Sequence, residues 1–93
     1  LLRRLVHDLV QKALSELDLS YHFEVEVPPE GFGDFSTNAA LVGARHARCH
    51  PMELAEKITG KLKNEDIFHS VEVAKPGFIN FRLKKKAYVD VLR

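Results

Sequence analysis

Residues 78–83, Phe-Ile-Asn-Phe-Arg-Leu, alternate with a period of two, and that alternation constrains the fold more than any other stretch. Successive strand side chains point to opposite faces. Ile79, Phe81 and Leu83 therefore form a purely apolar face that needs a layer of helices over it. Phe78, Asn80 and Arg82 place a ring, an amide and a guanidinium side by side on the other face. Lys75-Pro76-Gly77 precedes this run, and Val71 and Val73 flank Glu72 before that, so a hairpin is expected around the Pro-Gly pair.

Leu2, Leu5, Val6, Leu9, Val10, Ala13, Leu14 and Leu17 recur at helical spacing, which predicts an amphipathic first helix. Leu1 is no capping residue, so this helix is expected to begin upstream. Phe23, Val25 and Val27 alternate with Glu24 and Glu26 as a half-buried strand, which Pro28 and Pro29 stop. Glu30 to Gly33 predicts a turn. Phe35 is expected to close a short second strand, with Ser36 or Thr37 as a helix cap. Asn38 to about Arg48 favours helix, and Pro51 suits the first position of another, with Leu54, Ala55, Ile58 and Leu62 as its stripe. Lys84, Lys85 and Lys86 lead into residues 87–93, which predict a last helix or its opening turns. The pattern predicts a two-layer α+β domain spanning residues 1–93.

Composition closes off several classes. No apolar run approaches the roughly 18 residues of a membrane helix. One cysteine, Cys49, cannot build a disulfide framework. No secretory leader is recognisable, and the expected setting is soluble and intracellular. Fourteen Lys and Arg against thirteen Asp and Glu leave a formal charge of +1, so nucleic-acid binding requires a local patch.

Phe78, Asn80 and Arg82 suit an unpaired base: a ring to stack on, an amide for its edge and a cation for phosphate. Lys84, Lys85 and Lys86 extend that face as a phosphate-binding edge. The same pattern also describes an outer sheet face covered by a loop or a neighbouring domain, with the lysines as a solvated helix start. His46, Cys49 and His50 have the spacing of a helical metal site, but they run into Pro51, which pushes the preceding residue out of helix; no metal is expected. Asp34 and Ser36 lack a nearby histidine or oxyanion motif. Gly31-Phe32-Gly33 lacks the rest of a dinucleotide fingerprint. No catalytic residue is assigned.

Three ordered segments carry a resemblance over nearly the whole chain. Val25-Glu26-Val27-Pro28-Pro29 with Gly33-Asp34-Phe35-Ser36-Thr37-Asn38-Ala39-Ala40-Leu41, then Pro51 to Ile58, then Val71 to Phe81 are together similar to the N-terminal "additional" domain of bacterial arginyl-tRNA synthetases. The resemblance implies a two-layer α/β sandwich of order α-β-β-α-β-β with an antiparallel sheet. It implies contact with the outer corner of the L-shaped tRNA(Arg), near the D-loop, through Phe78 and Asn80, with a further polar contact at Lys75. Gly33, Asp34 and Asn38 would be structural, Gly33 making the turn and the other two fixing the loop to the helix start. Pro76 and Gly77 belong to the second hallmark. The resemblance implies a cytoplasmic enzyme whose catalytic domain, elsewhere in the same chain, uses ATP and Mg; residues 1–93 carry neither class I signature and would bind no such cofactor. Neither membrane nor DNA is implied as a partner. An RRM-like RNA-binding module and a domain-docking module are the alternatives.

Overall fold

Helix α1 (Leu2–Glu16) buries Val6, Val10, Ala13 and Leu14. The computed structural model describes the backbone of residues 1–92 and the side chains of residues 1–89. The buried stripe of α1 is narrower than its periodicity predicts. Leu5 is 37% exposed, because it lies about 100° around the axis from Val6, on the shoulder of the stripe.

Seven further elements follow: β1 (Val25–Glu26), β2 (Phe35–Thr37), α2 (Ala39–Ala47), α3 (Pro51–Leu62), β3 (Phe68–Ala74), β4 (Phe78–Leu83) and α4 (Lys85–Leu92). The order is thus α-β-β-α-α-β-β-α, with the middle helical region divided in two. Arg48 causes the break by adopting the left-handed conformation at φ 53°. His50 is then extended ahead of Pro51, which opens α3 at the position where its missing N–H costs nothing. Arg93, expected in the last helix, lies outside the described residues.

The four strands form one sheet in the order β1-β2-β4-β3, antiparallel at every pairing. Val25, Thr37, Ile79 and Val73 stand in one cross-strand row, and Phe35, Phe81 and Val71 in the next. These rows face the helices. Ile79 and Phe81 are fully buried, and Phe81 packs against Phe68 at a ring separation of 5.0 Å. Burying each such side chain contributes about 1.5–3 kcal/mol. Helix α1 packs against β1, α2 against β4, and α3 against β3 and β4, so the core lies on one side of the sheet.

The first strand is shorter than its alternation predicts. It ends at Glu26, and Val27 is 73% exposed. Pro28 and Pro29 have no N–H to extend the ladder, so the chain leaves the sheet one residue early and carries Val27 out with it.

Candidate nucleic-acid interface

The sheet face away from the helices carries Phe78, Asn80 and Arg82 of β4. Phe78 is 39% exposed; Asn80 is half-buried and Arg82 exposed. Their neighbours follow from the register. Asn80 sits between Ser36 and Glu72, Ser36 faces Glu26, Phe78 faces Ala74, and Arg82 faces Ser70. The central row on this face is therefore Glu26–Ser36–Asn80–Glu72.

The segment joining β1 to β2 turns over this face and is tied down at several points. Phe32 donates its backbone N–H to Pro29 O at 3.2 Å, and Asp34 N–H bonds Phe81 O at 2.7 Å. Gly33 has φ +106°, and a Cβ there would lie 2.7 Å from the Phe81 carbonyl oxygen. Only glycine meets both demands. Arg82 donates from Nη2 to Gly31 O at 2.9 Å. Asp34 accepts from Leu83 N–H at 2.7 Å, so its carboxylate reaches the end of β4, away from the helix start to which the resemblance assigns it. The Asn38 amide oxygen accepts from Glu24 N–H at 2.9 Å and holds β1 without capping α2 through its side chain. The neighbouring Thr37 hydroxyl donates to Glu24 O at 2.7 Å and accepts from Ala39 N–H at 3.2 Å.

Between this segment and the sheet lies an open groove of about 410 Å³, lined by Glu24, Glu26, Pro28, Pro29, Phe32, Lys75, Phe78 and Asn80 among others. Lys75 enters it from the β3–β4 turn, which Gly77 closes by donating its N–H to Ala74 O at 2.9 Å. A Cβ on Gly77 would stand 2.8 Å from Pro51 Cβ, so the turn lies flush against the start of α3. Pro76 follows a cis peptide bond in that turn. A smaller hollow of about 210 Å³ adjoins the groove, with Phe32, Ala74 and Asn80 common to both and Arg82 and Glu72 lining the hollow alone.

Lys75, Phe78 and Asn80 thus converge on one groove, and Arg82 lines the hollow beside it. Lys84 to Lys86 do not join them. Lys84 lies six residues from Phe78, roughly 20 Å along an extended strand. Lys84 Nζ lies 3.5 Å from Asp66, and Lys86 pairs with the same carboxylate. Hydrogen bonding and charge from Lys86, then Lys84, hold the Asp66 carboxyl below its ordinary range. Lys85 takes no carboxylate partner among the described residues. His46 stacks on Tyr21 with ring centroids 5.2 Å apart.

Phe32 and the two prolines are groove residues that strand alternation does not reveal. A signal for Phe32 is nevertheless present: an aromatic between two glycines in a polar turn belongs to neither apolar periodic set.

These features define an α+β domain with helices on one side of an antiparallel sheet and a ring-and-amide groove on the other. The family model described as "Arginyl tRNA synthetase N terminal domain" matches residues 4–83. The chain belongs to that family. It is 46% identical over 80 residues to the arginine–tRNA ligase of Nitrobacter winogradskyi, covering 85% of this chain and 13% of that protein. It is 37% identical to the arginine–tRNA ligase of Thermotoga maritima, covering 99% of this chain and 16% of the relative. Among solved structures, Thermus thermophilus arginyl-tRNA synthetase superposes over the whole chain with a TM-score of 0.80 at 25% identity, covering 16% of that structure. Arginyl-tRNA synthetase from Plasmodium falciparum gives a TM-score of 0.82 at 20% identity over 97% of this chain and 17% of its own, a likeness of fold. The chain spans about one seventh of the length of the relatives it matches.

Proposed function

We propose that this domain binds tRNA(Arg) at the outer corner of its L, near the D-loop, within a cytoplasmic synthetase that joins arginine to tRNA(Arg) using ATP and Mg. The catalytic domain of the same protein is its second partner, and ATP and Mg belong there. The convergence of Lys75, Phe78 and Asn80 on one groove carries the reading. Phe78 stacks on an unpaired base, the Asn80 amide bonds the base edge, and Lys75 at the rim meets a flanking phosphate. Glu24 and Glu26 at the other end disfavour a second phosphate, so the nucleotide enters base first.

The test uses the full-length synthetase. Phe78→Ala removes stacking of about 1–3 kcal/mol and should raise the KM for tRNA about 5- to 150-fold. Turnover and the KM values for arginine and ATP should hold, because the contact contributes uniform binding far from the chemistry. Lys75→Ala should flatten the log–log salt dependence by roughly 0.7–0.9 if that lysine meets one phosphate; Lys85→Ala tests the lysine edge in the same way. An unchanged KM for tRNA in Phe78→Ala overturns the base site and makes the groove a domain-docking surface.

A further inference from the structure

We infer that Phe32 is the second aromatic wall of the base groove and that Arg82 acts by holding Phe32 in place, not by meeting phosphate. This rests on the reading of the groove as a base site and adds the residues that shape it. Phe32 is 55% exposed and is flanked by Gly31 at φ +94° and Gly33 at φ +106°. A large ring kept in water on a segment of this geometry gains nothing from the fold itself. Its position is nevertheless specified. Gly33 is pressed against the Phe81 carbonyl, and Gly31 O is held by the Arg82 guanidinium at 2.9 Å.

An unstacked base has two π faces to remove from water, and Phe78 covers one. Phe32 lines the same groove as Phe78 and Asn80 and, with Asn80, also lines the hollow beside it, which puts a second ring on the groove whose amide reads the base edge. Arg82, meanwhile, borders a hollow that also contains the Glu72 side chain. A phosphate there would face a carboxylate as well as a cation, whereas the Gly31 carbonyl is already a partner. Arg82 is thus a positioning residue.

Kinetics and salt dependence of the full-length synthetase separate these roles. Phe32→Ala should raise the KM for tRNA at least about 5-fold, the lower end of a stacking loss, with turnover and the KM for arginine and ATP unchanged. Arg82→Ala should raise it similarly, keep the parental salt slope, and add nothing further when combined with Phe32→Ala. Amide exchange at residues 30–33 should quicken in Arg82→Ala. The Phe78→Ala enzyme distinguishes the two levels of failure. If it loses tRNA affinity while Phe32→Ala does not, the second wall is wrong and the base site stands. If Phe78→Ala itself is neutral, both are wrong. A salt slope flattened by roughly 0.7–0.9 in Arg82→Ala would make Arg82 a phosphate contact and overturn its positioning role.

Discussion

The Asp34 carboxylate accepts a 2.7 Å hydrogen bond from the Leu83 N–H, forty-nine positions further along the chain. The same residue donates its own N–H to Phe81 O at 2.7 Å, so Asp34 continues the β2–β4 ladder past the end of β2 with one backbone and one side-chain bond. Hydrogen bonds to charged groups contribute about 1.5–3 kcal/mol. Asp34→Ala should therefore lower the unfolding free energy by that amount in urea titration, with the groove segment loosened. A change below about 0.5 kcal/mol would mean that water replaces the carboxylate without cost.

Two glycines make a paired comparison. Gly33→Ala forces a Cβ against the Phe81 carbonyl at a positive φ and should destabilise the domain by more than about 1 kcal/mol. Gly60, in α3, has no atom within 4 Å of the position a Cβ would take. Gly60→Ala should instead stabilise by roughly 0.5–1 kcal/mol, the helix-interior difference between the two residues. Thermal midpoints moving in opposite directions would confirm the pair.

Tyr21 predicts an alkaline effect. Its hydroxyl donates to Ala39 O at 2.7 Å, and burial first, then charge on Cys49, push the phenol up from 10.0 to about 12. The folded state thus holds this proton more tightly than the unfolded chain. The associated stability is complete below pH 10 and is lost as pH rises towards about 12. Tyr21→Phe should remove that part of the alkaline limb and cost about 0.5–1.5 kcal/mol at neutral pH for the lost hydrogen bond. The difference in phenolate absorbance between the parent and Tyr21→Phe gives its ionisation against pH; a Tyr21 titrating near 10 would show that the hydroxyl is not enclosed.

Much of the fold is legible because burial writes periodicity into sequence. Ile79, Phe81 and Leu83 alternate, and Leu54, Ala55, Ile58 and Leu62 recur at helical spacing; each set is buried. Leu5 and Val27 follow the same patterns and are exposed, since periodicity gives direction but not how far the covering layer extends. The groove is only half legible. Phe78 and Asn80 announce themselves by strand parity, but Phe32 lines their groove from a turn whose Gly31 is bonded to Arg82, fifty-one positions away. The pairing of the lysine run is illegible for a related reason: Asp66 is distant in sequence and adjacent in space to Lys84 and Lys86.

Strand β4 is paired on both sides, with β2 along one edge and β3 along the other. A length change of one residue within it would exchange Phe78 and Asn80 for Ile79 and Phe81 on the open face, and would have to break two ladders to do so. The open face is thereby fixed in phase with the core: it can be altered side chain by side chain, but it cannot slide.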